Sequence, residues 1–219
     1  PTIINCAIID NYSSRNGGGM ANLGGDKGNA SPKLINCIIS GNETEEKGGG
    51  LYNDGDDDGN ASPVLINCIL SGNYQENEDD DYGGGAIYND AEDGISSPVF
   101  INCVISGNQA YHGGAVFNNE ADGNCNPVFT NCILWNNDDI DNDVFYNSGG
   151  ASPVVSYSLL QGNDFNSITS GNPVTDGNNN KFEGSGINPN FINAPTVVFT
   201  PTSAGNFNVL PGSDAIDMG

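Results

Sequence analysis

Positive charge is almost missing from this sequence. Five Lys and Arg residues and one His stand against 28 Asp and Glu, a formal net charge of −23 over 219 residues. A chain this acidic repels nucleic acid and anionic membrane surfaces and attracts cations. Long apolar runs are missing as well: no stretch approaches the roughly 18 residues of a membrane-spanning helix. No signal peptide opens the chain. Six cysteines are present without a single CxxC pair, which argues against zinc, whose ligands must converge on one point. No window sustains a 3.6-residue apolar period, so helix is expected to be nearly absent.

What is present is a repeat. "SPVLINCILSGN" occupies Ser62 to Asn73, and close copies begin at Ser31 and Ser97. Six copies of the core align from Pro1, Pro32, Pro63, Pro98, Pro127 and Pro153. The last copy has Tyr157 and Ser158 where the others have Asn-Cys. A second core follows in each copy: "GGGMAN", "GGGLYN", "GGAIYN", "GGAVFN" and a degraded "NDVFYN". The connectors between the cores are 5, 5, 10, 4 and 4 residues long. Constant cores with variable connectors describe stacked strands and protruding loops. Each copy reads as three short strands broken by Gly, Asn, Asp and Pro. One such coil cannot bury its own apolar face, so the pattern must recur along a stack. The fold class is therefore all-β, a right-handed parallel β-helix of about six coils over residues 1–165, followed by an irregular C-terminal cap over 166–219. The cap carries apolar anchors at Phe182, Phe191, Ile192, Val197, Val198 and Phe199. Because Pro1 falls inside a repeat, the chain is read as a piece of a longer protein.

Within "VLINCIL", Leu65 and Cys68 are placed inward and Asn67 at the bend, since Asn tolerates the left-handed backbone of a tight turn. Asn5, Asn36, Asn67, Asn102 and Asn131 then form an amide ladder, and Cys6, Cys37, Cys68, Cys103 and Cys132 an inward stack beside it. Stacked parallel side chains about 4.8 Å apart exceed the usual Cβ separation of a disulfide, so these cysteines are expected as buried free thiols. Cys125 lies outside the ladder, in a loop, where pairing or exposure is expected.

With these residues laid out, the chain resembles bacterial right-handed parallel β-helix repeat proteins of the polymorphic outer-membrane and surface type. "NCILWNND", "SPVVSYSLLQGN", "INPNFIN" and "NVLPGSDAIDMG" are similar to the closing segment of choice-of-anchor Q type proteins, although Asp214 stands where that family's closing phrase has Pro. The resemblance implies a β-helix and an extracellular or bacterial cell-surface location. It implies little about activity, because a scaffold does not carry a function.

Parallel β-helices also host polysaccharide lyases and hydrolases. A lyase needs a base and cations beside the uronate. The candidates are Arg15, Lys27, Lys33, Lys47, Lys181 and His112, and nothing in the sequence gathers them with an aromatic platform. A glycosidase needs paired carboxylates, and the acidic residues fall between the cores. Ice binding would need flat Thr ladders, and the 8 Thr are scattered. The sharpest local signal is "NDGDDDGN", where Asp54, Asp56 and Asp58 alternate before Gly59 as in the opening half of an EF-hand loop. Leu65 stands where that loop would have its twelfth-position Glu. Asp54, Asp56 and Asp58 are the candidate Ca2+ ligands; Asp90, Glu92 and Asp93, and Asp139, Asp141 and Asp143, are weaker clusters of the same kind. The plain alternative is a solvated acidic surface. The reading is a non-catalytic secreted or cell-surface module, adhesin-like, presenting acidic loops to a glycan or a surface protein, with a polysaccharide-active enzyme as the alternative. Nucleic-acid partners and membrane insertion are excluded on charge and hydropathy.

Overall fold

The computed structural model describes residues 1–139, 142–193 and 206–209. It is a parallel β-solenoid. Two sheets of seven strands and a third of six run the length of the stack, every pairing in them parallel, and a short three-stranded sheet joins them. This is close to the six coils expected. Two one-turn 3-10 helices, Phe165–Ser167 and Glu183–Ser185, are the only helical segments among the described residues. No helix among them is long and apolar enough to cross a membrane.

One coil shows the rule. Lys33–Ile35 lies in the first sheet, Ile38–Ser40 in the second, Glu43–Thr44 in the short sheet and Leu51–Asp54 in the third. The next coil repeats it in register: Leu34 pairs with Leu65, Ile39 with Leu70 and Leu51 with Ile87. Alternation sends one side chain of each strand inward, and register puts like on like. Leu34, Leu65, Phe100 and Phe129 form one fully buried column, Ile39, Leu70, Ile105 and Leu134 a second, and Leu51, Ile87, Val116 and Phe145 a third. Full burial of such a side chain contributes about 1.5–3 kcal/mol. The repeated proline stands immediately before six of the seven first-sheet strands, where no N–H is required. Its carbonyl still serves the ladder: Val64 N–H donates to Pro32 O at 3.0 Å and Val99 N–H to Pro63 O at 3.0 Å.

The bend reads as expected. Asn5, Asn36, Asn67, Asn102 and Asn131 all have left-handed φ between 53° and 55°. Each amide donates to its counterpart in the preceding coil, Asn36 to Asn5 at 3.2 Å through Asn131 to Asn102 at 2.8 Å. Two further Asn ladders are buried. Asn42, Asn73, Asn108 and Asn137 link amide to amide at 2.9 Å at each step. Asn22, Asn53, Asn89, Asn118 and Asn147 do the same at 2.7–2.8 Å.

The segment from residue 166, expected as an irregular cap, first supplies three more parallel strands. Thr169–Gly171, Thr175–Asp176 and Lys181–Phe182 stack on Phe145–Asn147, Val154–Ser156 and Leu159–Leu160. Phe182 packs on the main core and Phe165 meets its ring at 5.0 Å. Phe191–Asn193 then pairs antiparallel with Asn206–Val209. Val197, Val198 and Phe199 lie outside the described residues, as does the Ile192 side chain.

Candidate functional site

The acidic loop after the third sheet places its three carboxylates in three directions. Asp54 ends its strand, and its Oδ1 accepts the N–H of Asp56 at 3.1 Å. Asp56 Oδ1 reaches the next coil and accepts the Glu92 N–H at 3.1 Å. Asp58 turns toward the preceding coil, 3.4 Å from Lys27 Nζ, with both side chains more than 70% exposed (72% and 77%). Asp93, in turn, accepts the Asp57 N–H at 2.5 Å. Among the described residues, no three or more His, Cys, Asp or Glu side chains form a group placed to hold a metal ion. Gly59, which the sequence offers as the turn of a cation loop, has a packing reason. A Cβ there would meet Gly24 O at 1.8 Å, because successive loops stack backbone on backbone. Desolvation, with Asp90 nearby, pushes the Asp56 carboxyl up to about 6, and burial raises Asp54 in the same sense.

The second acidic cluster does different work. Asp139 is buried; its Oδ2 accepts the Gly113 N–H at 2.8 Å and its Oδ1 the Asp143 N–H at 2.7 Å, so it pins a turn. Asp143 accepts from Ser170 Oγ. Asp141 lies outside the described residues.

Carboxylates also stand on strands, contrary to the expectation from sequence. Asp90 belongs to Ile87–Ala91 and is 3% exposed on the outer face of the third sheet. Lys47 Nζ lies 2.9 Å from its Oδ2, Tyr52 Oη donates to the same oxygen at 3.1 Å, and Asn119 Nδ2 donates to Oδ1 at 2.8 Å. A second expectation is corrected here: Lys47 does meet an aromatic platform. Its ammonium sits 4.9 Å from the centre of the Tyr88 ring. Tyr88 belongs to a column of Tyr52, Tyr88, Phe117 and Tyr146, whose register follows from the second core of each repeat. His112, expected as an isolated loop residue, packs its ring 4.7 Å from Tyr146 and holds Nε2 at 3.7 Å from Asp80. Lys47 and the aromatic column border a surface cleft of about 420 Å³ lined by Lys47, Asp80, Asp81, Glu92, Asn119 and Tyr146. The signal was in the sequence: an aromatic sits at the same place in "GGGLYN", "GGAIYN", "GGAVFN" and "NDVFYN". The partner was not, since the Lys47–Asp90 pair spans 43 residues and two coils.

All six cysteines are free thiols. Cys37, Cys68, Cys103 and Cys132 are buried as an inward column, while Cys6, in the first coil, is exposed. Each buried thiol donates to a carbonyl two residues back, as Cys68 to Ile66 O at 3.4 Å. A hydrogen bond with Cys132, reinforced by burial, holds the Cys103 thiol up at about 12. Cys125 corrects the expectation of exposure or pairing: it is fully buried with Ala91 and Ala151, and burial pushes its thiol well above the usual range.

No protein-family model and no curated protein matches this chain.

Proposed function

We propose that the chain is a non-catalytic module of a secreted or cell-surface protein, a β-helical stalk that presents its acidic loop edge to a glycan or protein partner. The observation that carries this reading is the allocation of polar groups. The buried Asn amides are taken up by their counterparts in neighbouring coils, and the strand-borne Asp90 has both oxygens occupied by Lys47, Tyr52 and Asn119. Length variation and unpaired charge collect in the loops, above all in the ten-residue connector around Glu76 to Tyr82. A rigid scaffold with variable edges is how solenoids carry binding surfaces. The resemblance to bacterial surface repeats and to choice-of-anchor Q segments points the same way.

One observation favours the alternative, a polysaccharide-active enzyme: Lys47 and Tyr146 line a cleft on a parallel sheet, and His112 packs against Tyr146. That reading requires Lys47 to leave Asp90. The test is incubation with pectin, alginate and chondroitin, followed by ultraviolet detection of unsaturated uronates. No product is expected. Product that disappears in Lys47→Ala or His112→Ala would establish the enzyme and end the stalk reading. A glycan or protein retained by the module should release when Asp57, Asp58, Asp79 and Asp80 are changed together to Asn.

A further inference from the structure

Two lysine–aspartate pairs among the described residues stand in opposite surroundings. Lys27 and Asp58 meet in water, 3.4 Å apart. Lys47 and Asp90 meet at 2.9 Å with side chains only 21% and 4% exposed. Tyr52 and Tyr88, both buried, close the site on its inner side, and Nζ lies 4.9 Å from the centre of the Tyr88 ring.

The carboxyl of Asp90 is fixed in orientation. Asn119, its register partner in the following coil, donates to Oδ1 at 2.8 Å. Tyr52 Oη donates to Oδ2 at 3.1 Å. Both donors draw electrons from the carboxyl carbon between them. A nitrogen held against a polarised carboxyl needs only a small shift to reach that carbon, and holding it there replaces the entropy that an encounter in solution would cost. Burial adds two effects. It penalises separated charge, which favours passing a proton from the ammonium to the carboxylate. It also keeps out the water that would reverse an amide. Lys27 and Asp58 have none of these features.

We propose that Lys47 and Asp90 are joined by a spontaneous isopeptide bond, a covalent staple between coils on the outer face of the third sheet. The step balances with no other reactant. One proton passes from the Nζ ammonium to Oδ2. The Nζ lone pair attacks Cγ, a second proton follows to Oδ2, and the Cγ–Oδ2 bond breaks to release water. The cleft lined by Lys47 gives that water an exit. The last Nζ hydrogen stays as the amide N–H. Oδ1 becomes the amide carbonyl oxygen and keeps its hydrogen bond from Asn119, while Tyr52 Oη serves the oxygen that leaves. The inference goes beyond the stalk reading and does not rest on it, since the bond forms from this chain's own residues wherever the module is displayed.

Mass spectrometry of the whole chain, folded, incubated for several days, then denatured and reduced, tests it. The protein should weigh one water less than its sequence. A glutamate-specific protease, which cuts between the two residues after Glu76 and Glu78, should release the Lys47 segment still joined to the Asp90 segment. The joined peptide should survive hydroxylamine, which opens the cyclic imides that Asp-Gly sequences form with the same loss of water. Lys47→Arg keeps a cation beside Asp90 but supplies a permanently charged guanidinium in place of the amine, so its mass should return to the full sequence value. Asp58→Asn should leave the loss of water in place. A full sequence mass, in a sample whose circular dichroism is that of the folded β protein, means an ion pair only and overturns the proposal. A loss of water that persists in Lys47→Arg, or that hydroxylamine removes, overturns it as well. The peptide analysis uses the unsubstituted protein, so it decides even if a variant fails to fold.

Discussion

The repeat contains three asparagines, and each answers a different physical demand. Asn67 is exposed at a bend with φ 53°, so backbone conformation decides its identity. Asn73 is 1% exposed and sits in a closed network. Its Oδ1 accepts from the backbone and side chain of Asn42 at 3.1 and 2.9 Å, and its Nδ2 donates to Ile39 O and Asn108 Oδ1 at 3.0 and 2.9 Å. Asn73→Ala strands several buried groups, each costing about 1–3 kcal/mol, so a loss of about 3 kcal/mol or more is expected in denaturant unfolding. Asn67→Gly keeps the left-handed bend and loses two exposed amide bonds, to Asn36 and from Asn102, so it should cost only about 1 kcal/mol. If Asn67→Gly proves the costlier, the bend amides rather than the buried ones hold the coils together. Thiols give a second residue-scale prediction. A native-state reaction with an aromatic disulfide reagent should label one cysteine quickly, Cys6, and the other five only on unfolding, because burial shields those thiols from the reagent. Fast labelling of Cys125 would contradict its place beside Ala91 and Ala151.

At the scale of the element, the entrance to each third-sheet strand explains the "GG" pairs. A Cβ on Gly85 would meet Gly114 O at 2.4 Å and Gln109 N at 2.5 Å. The chain passes over the short sheet's backbone with no room for a side chain. Gly85→Ala should therefore destabilise by about 1–3 kcal/mol as an overpacked contact, read as a lower denaturation midpoint with an unchanged slope. The strands themselves were legible because the repeat places identical residues in contact: Leu34 on Leu65, Asn36 on Asn67 and Cys68 on Cys103 follow once the period is counted. The buried ladders of Asn73 and Asn53 were written in the same repeats. They read as turn residues because composition says only that Asn forms turns, whereas inward or outward placement depends on register. The site features were less legible. "DGDDDG" looks locally like a cation loop, yet Gly59 answers to Gly24 of the coil before. Tyr74, Gln109 and Asp138, distant in sequence, line one cleft because three coils with unequal connectors meet there.

For the whole molecule, the dominant long-range force is self-repulsion from a net charge of −23. The loops stack acid on acid along the axis, and desolvation raises the carboxyls of Glu43, Asp54, Asp56 and Asp138, with like charge adding at the first three. The sign follows from proton binding. A carboxyl raised in the fold keeps protons that the unfolded chain has already released, so stability falls with pH in that interval. For Asp56 the favourable contribution is complete below the unfolded value of ~4 and is lost as pH rises through about 6. The melting temperature should therefore be higher near about pH 5 than near about pH 7.5, the reverse of a fold held by ionised carboxylates in salt bridges. Asp56→Asn should raise the melting temperature at the higher pH and narrow the gap between the two. Added NaCl should also raise it at neutral pH by screening exposed charge. An increment from Ca2+ above ionic-strength-matched NaCl, removed by Asp56→Asn, would mean that the loop at Asp54 to Asp58 closes on a cation. A melting temperature that climbs steadily between the two pH values, with Asp56→Asn lowering it, would show that the carboxylates stabilise the stack and that repulsion does not govern it.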